Sequence, residues 1–95
     1  MNKFDFLQSL ESGTIPEELE NIHLQSLWFD AKGDWEKSHT LIQDFEDPIA
    51  TRIHAYLHRK EGDLWNSDYW YGRIGMKRPD LSLKEEWQEL VDSLF

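Results

Sequence analysis

The 95-residue chain has no cysteine, one valine, three threonines and no long apolar run. Without cysteine there is no disulfide framework and no thiolate zinc site. Val and Thr are scarce beside twelve leucines. Leucine keeps its rotamer freedom on a helix while β-branched residues favour strands, so the bias is towards helix. No segment alternates apolar and polar residues over the length of a strand. Leu27-Trp28-Phe29 is as long as any uninterrupted apolar run, far short of the roughly 20 residues a membrane-spanning helix needs. The opening "MNKFDFLQSLESG" is cut by Asp5, Gln8 and Ser9. It lacks the apolar stretch of a secretory signal, which gives the expectation of a cytoplasmic protein. A phosphate-cradling glycine loop and a nucleophile elbow are also missing, and no cofactor is expected.

What is present is acidic and aromatic. The net charge is −9, and five tryptophans add to a Leu, Ile, Val and Phe total of 24 residues. That total lies above the roughly 20% below which disorder is the default, so one packed domain spanning 1–95 is expected. Residues 1–50 carry a net charge of −8, residues 51–80 a net of +2 and residues 81–95 a net of −3. So acidic a chain repels phosphate backbones, which argues against nucleic acid as a partner. The basic middle instead suits an acidic protein or peptide, including the acidic half of another copy.

Helix punctuation predicts an all-α protein of about five to six short helices. A first helix spans about 3–10, with Phe4, Phe6, Leu7 and Leu10 on its apolar face. "SGTIPEELE" offers Thr14 as an N-cap with Glu17 three residues on, and Pro16 in the first turn. The helix that follows carries Leu19, Ile22, Leu27 and Phe29 and ends at Gly33. Asp34 caps the next, whose stripe is Trp35, Leu41, Ile42 and Phe45. Asp47 and Pro48 begin another, stopped by Gly62, and Asp63 caps an aromatic helix. "GRIGMKRPD" reads as loop, and Ser82 with Glu85 forms a capping box for a last helix at about 83–95.

An internal repeat organises these helices. "AKGDWEKSHTLI" and "KEGDLWNSDYWY" superpose on Gly33 and Gly62, a period of 29 residues. Asp34 then matches Asp63, Ser38 matches Ser67 and Ser26 matches Ala55. In each unit a glycine ends one helix, an aspartate caps the next and small residues allow the two to approach closely. One such hairpin cannot bury its apolar face alone, so units at about 17–45 and 48–79 should stack between terminal capping helices. The arrangement resembles degenerate tetratricopeptide/Sel1-like repeats, in which a small residue, a Gly-Asp-aromatic turn and a "WY" ending recur. The central "GDWEKSH" and "HAYLHRKEGDLWNSDYWY" also resemble a family of small uncharacterised bacterial proteins. There Ser38 and Ser67 stand where alanine is expected, and no activity travels with the likeness.

Three groups of side chains are candidates for function. His54 and His58, four apart, share one face of a helix and can chelate a divalent metal. A hydrolytic zinc helix needs a glutamate directly after the first histidine, and Ala55 stands there instead. A third ligand would come from His39, Glu61 or Asp30, with His39 best placed on the preceding helix. Arg59 and Lys60 put positive charge beside such a site. Packing within the hairpin, with His54 and His58 hydrogen-bonded to a neighbour such as Tyr69, Trp70 or an acidic side chain, is the expectation; the set His39, His54 and His58 as metal ligands, or as acid–base catalysts, is the alternative. The second group is a groove on the 48–61 helix where Arg52, Tyr56, Arg59 and Lys60 would hold an acidic peptide, since arginine forks match carboxylates. The third is Trp65, Tyr69 and Trp70, which cannot all face inward. Trp87 and Leu90 would cover part of them, or a partner would, and a homodimer through this face would stabilise so short an array. The functional expectation is a non-enzymatic protein-interaction module, with a small enzyme or metal-binding protein as the alternative.

Overall fold

A computed structural model describes residues 1–95. Six helices and no strand make the protein all-α: α1 (Lys3–Ser12), α2 (Ile22–Ala31), α3 (Trp35–Ile42), α4 (Pro48–Glu61), α5 (Leu64–Arg73) and α6 (Leu83–Asp92). No helix is long and apolar enough to cross a membrane.

Local chemistry sets most helix ends. Asn2, Asn21, Asp34, Asp47, Asp63 and Ser82 each accept a backbone N–H of the first turn that follows, supplying a partner the helix cannot. Ser82 and Glu85 complete a reciprocal capping box. The two Gly-Asp turns are geometric copies. Gly33 and Gly62 have φ of +85° and +87°, a region that strains any residue with a Cβ. The Asp34 amide donates to the Phe29 carbonyl at 2.9 Å, and the Asp63 amide to that of His58 at 3.0 Å. Each bond spans the same five residues, which is how the 29-residue sequence period becomes a structural one.

α2 pairs with α3, and α4 with α5, as two helical hairpins. Buried serines sit where the paired helices come closest. Ser26 donates to the Ser38 carbonyl, and Ser67 to the Ala55 carbonyl, both at 2.9 Å. A larger side chain at either place would force the backbones apart. Between and beneath the hairpins lies one core containing Leu24, Leu27, Trp28, Ile42, Ile53, Leu57, Leu90 and Val91. α6 returns across α2 and α4, and its Trp87 indole donates to the Leu27 carbonyl at 3.0 Å. α1 adds Phe6, fully buried against the rings of Trp87 and Phe95.

Three sequence expectations need correction. The second helix starts at Ile22 and not near Thr14, because Asn21 is the working cap; residues from Pro16 to Leu19 form a turn that tucks Leu19 into the core. Phe45 lies beyond the end of α3 and is exposed. Phe4 is also exposed, since Phe6 takes the inward position on α1.

Candidate functional site

Histidines 54 and 58 project from one face of α4, and α3 sets His39 against them. The three ring centroids lie 4.7, 4.9 and 5.3 Å apart. Nε2 of His39 is 3.0 Å from Nε2 of His54, so one imidazole donates its N–H to the other's lone pair. His58 turns Nδ1 to the Glu61 carboxylate at 2.6 Å. That leaves Nε2 as its free nitrogen. One donor nitrogen from each histidine can be chosen so that all lie within 4.8 Å of one another.

Tryptophans hold the rings in place. Trp35 stacks on His39, with centroids 4.8 Å apart and planes 9° apart. Its indole N–H is anchored on the Leu57 carbonyl at 2.8 Å. Trp70, from α5, stacks on His54 at 4.1 Å and 19°. His54 is buried while His39 and His58 are partly open. Burial, then the charge of His39 and His58, pulls His54 down to about 4. Burial chiefly, with His58 next, also lowers His39. At neutral pH these two are neutral imidazoles, each able to offer a lone pair.

The positive charges expected beside the histidines point elsewhere. Lys60 pairs with buried Asp30 at 2.8 Å, and Arg59 pairs with Glu86 at 2.9 Å. In the proposed groove, Tyr56 also donates to Asp30, at 2.7 Å, and Arg52 reaches Glu86 at 3.3 Å and Glu89 at 3.0 Å. Glu86 is fully buried and further accepts the Tyr71 hydroxyl at 2.6 Å. The Arg52 and Arg59 charges are therefore answered by α6, and the Lys60 charge and Tyr56 hydroxyl by Asp30 of α2.

The third group divides. Trp70 is half-buried against His54, whereas Trp65 is 77% exposed and Tyr69 48%. Trp87 faces Phe6 and Leu27, so it does not cover α5. Trp65 and Tyr69 stack on each other at 6.2 Å and 11°. The Arg73 guanidinium lies 6.0 Å from the Tyr69 ring and 5.4 Å from that of Trp70.

Four surface cavities are present, and none is lined by His39, His54 or His58. The largest, about 540 Å³, opens beneath the α5–α6 loop between Arg59, Asp68 and Lys77. The sequence does not reveal the parts played by Trp35 and Glu86, and Trp70, expected as a hydrogen-bonding neighbour of the histidines, stacks on His54 instead. Glu61, three residues after His58, was readable as its hydrogen-bond partner, because residues three apart meet on a helix. Comparison with protein-family models, curated proteins and solved structures gives no match.

Proposed function

We propose that the chain is a non-enzymatic protein-interaction module of tetratricopeptide/Sel1-like hairpins, docking a partner on the outer face of α5. The observation that carries this comes from the repeat register. Trp65 and Tyr69 correspond to Glu36 and Thr40 of the first hairpin, which are equally exposed and polar as water requires. The second hairpin places two large aromatics at those positions, with Leu64 beside them and nothing in the chain covering them. Trp, Tyr and Arg dominate interface energetics because each offers broad contact with a polar tip, and truncating such an anchor costs about 2 kcal/mol or more of binding. Arg73, in register with Asp44, adds a cation at the end of the aromatic pair. The partner that fits is a protein surface with an apolar recess bordered by carboxylates. No catalytic role is included, since no cavity adjoins the histidines.

A photo-crosslinking residue placed at 65 or 69 in the native host should give discrete protein adducts, while the same residue at 36 or 40 should not. Arg73→Glu should abolish the adducts. Trp65→Ala should leave stability within about 0.5 kcal/mol of the parent, as an exposed substitution does. Equal labelling at 36 and 65 would remove α5 as the docking face. Adducts to the chain itself, with a sedimenting dimer lost in Trp65→Ala, would identify the occupant as a second copy.

A further inference from the structure

We propose that His39, His54 and His58 form a binding site for one divalent first-row transition-metal ion of the zinc class, clamping the first hairpin to the second. This inference stands independently of the docking face on α5.

Donor geometry comes first. Zinc bound by imidazole at 2.0–2.1 Å in a tetrahedral shell sets nitrogen–nitrogen distances of about 3.3 Å. His39 and His54 already stand at 3.0 Å, and the three-nitrogen set spans no more than 4.8 Å. Rotations moving each ring nitrogen by about an ångström bring the set to the metal's spacing. Two donors come from α4 at the four-residue spacing that puts them on one face. The third comes from α3, in the other hairpin, so closure of the site joins two units.

The outer contacts have the pattern of a metal centre. A ligating histidine usually gives its second nitrogen to a carboxylate or carbonyl, which fixes the tautomer and aims the free lone pair. His58 does this through Nδ1 to Glu61 at 2.6 Å. Its Nε2 makes no hydrogen bond within the chain, although it belongs to a ring packed against two other imidazoles. No buried side-chain nitrogen is left without a partner, so this Nε2 is reached by solvent and is open to an incoming ion. Trp35 and Trp70 hold the His39 and His54 rings by stacking, which restricts the orientations the donors can lose on binding.

Donor chemistry selects the ion. Three neutral nitrogens suit zinc, cobalt, nickel or copper and discriminate against magnesium and calcium, which require oxygen. His58 also neighbours Glu61 and Asp63. Asp63, however, is committed to capping α5 and to the Asn66 side chain at 2.6 Å, so the carboxylates orient His58 instead of forming a second centre. Three protein ligands leave a fourth position on the open side of His39 and His58, where water completes the shell. Because its ligands come from α3 and α4, the ion would join the two hairpins, with Ala55 standing where a hydrolytic zinc helix carries its glutamate base.

The test uses the full chain freed of metal by chelator. Titration calorimetry with zinc chloride should give one ion per chain, and cobalt chloride should give the intense visible absorption of a tetrahedral nitrogen site. His39→Ala, partly open and away from the core, should weaken zinc binding at least 100-fold. Glu61→Gln should weaken it about 10- to 100-fold, as loss of an orienting carboxylate does. His23→Ala should change nothing, since His23 pairs with Asp47 elsewhere. Should His54→Ala fail to fold, imidazole nitrogen shifts in the wild-type chain give the same information: zinc should move the resonances of three histidines and spare His23. Absence of stoichiometric binding would overturn the proposal. Binding undiminished in His39→Ala would also overturn it, because the clamp requires a ligand from each hairpin.

Discussion

The two hairpins are alike in backbone and unlike in what they carry. Gly33 and Gly62, and Asp34 and Asp63, repeat in geometry, and each crossing is closed by a buried serine, though Ser26 donates from the first helix of its hairpin and Ser67 from the second. At three other equivalent positions the chemistry diverges. Phe29 of the first unit packs edge-on to Trp28 under Lys37, whereas His58 of the second meets two other imidazoles. Gln25 bonds to the Leu19 carbonyl at 2.6 Å, closing the first unit on its own loop, while His54 faces across to His39. Buried Ile42 is matched by Tyr71, whose hydroxyl meets Glu86. At these three positions the first hairpin is closed on itself and the second reaches beyond its own helices. A repeat shows which residues the scaffold demands, so the departures from it single out the residues with other work.

The largest expected effect separates the two units at Glu86. Glu86→Ala should cost about 3–5 kcal/mol in chemical denaturation, because it leaves Arg52, Arg59 and the Tyr71 hydroxyl without their buried carboxylate. Hydrogen exchange should show the second hairpin loosened more than the first. Equal loosening of both would break the contrast.

Acidity should act next, through His54 of the second hairpin and His39 of the first. A folded pKa below the unfolded value means the unfolded chain binds more protons. Stability from His54 is then fully present above its ordinary 6.5 and is lost as pH falls towards about 4. His39, also lowered, adds in the same direction. Melts of the metal-free chain should lose about 2–3 kcal/mol across that window, and His54→Gln should flatten the slope. A slope unchanged in His54→Gln would assign the dependence to other groups.

The smallest effect should be the same in both units. Ser38→Leu and Ser67→Leu each overpack a closed helix crossing and should each cost about 1–3 kcal/mol by denaturant titration. A difference of more than about 1 kcal/mol between them would show that the opposite direction of the two serine hydrogen bonds matters to the packing.

Local signals in the sequence were read well, and contacts distant in sequence were not. The Gly-Asp turns, the Asp47-Pro48 start, the Ser82–Glu85 box and the serine crossings all act within a few residues or within the 29-residue period. They were therefore legible. Thr14 misled because its capping pattern is sound locally, yet Asn21 serves a helix that lets Leu19 reach the core. The approach of His39 to His54 and His58 was readable only as an alternative, on the expectation that neighbouring hairpins pack. Trp70 was legible as a neighbour of the histidines but not as a ring stacked on His54, since that depends on the rotation of α5 about its own axis. Glu86 was the hardest case. An acidic residue on a short helix in an acidic chain reads as solvent-facing, and only the return of α6 between Arg52 and Arg59 gives it a buried place.

That return of α6 also orders events as the chain folds. Each hairpin closes through neighbours in sequence and can form early, at the pace of local helix pairing. The Trp87 indole must then cross sixty residues to reach the Leu27 carbonyl, and Glu86 must travel thirty-four to reach Arg52. Until α6 docks, Arg52 and Arg59 lack the Glu86 carboxylate and the seam that Leu90 and Val91 fill stays open. Docking of α6 is thus the step on which closure of the core waits.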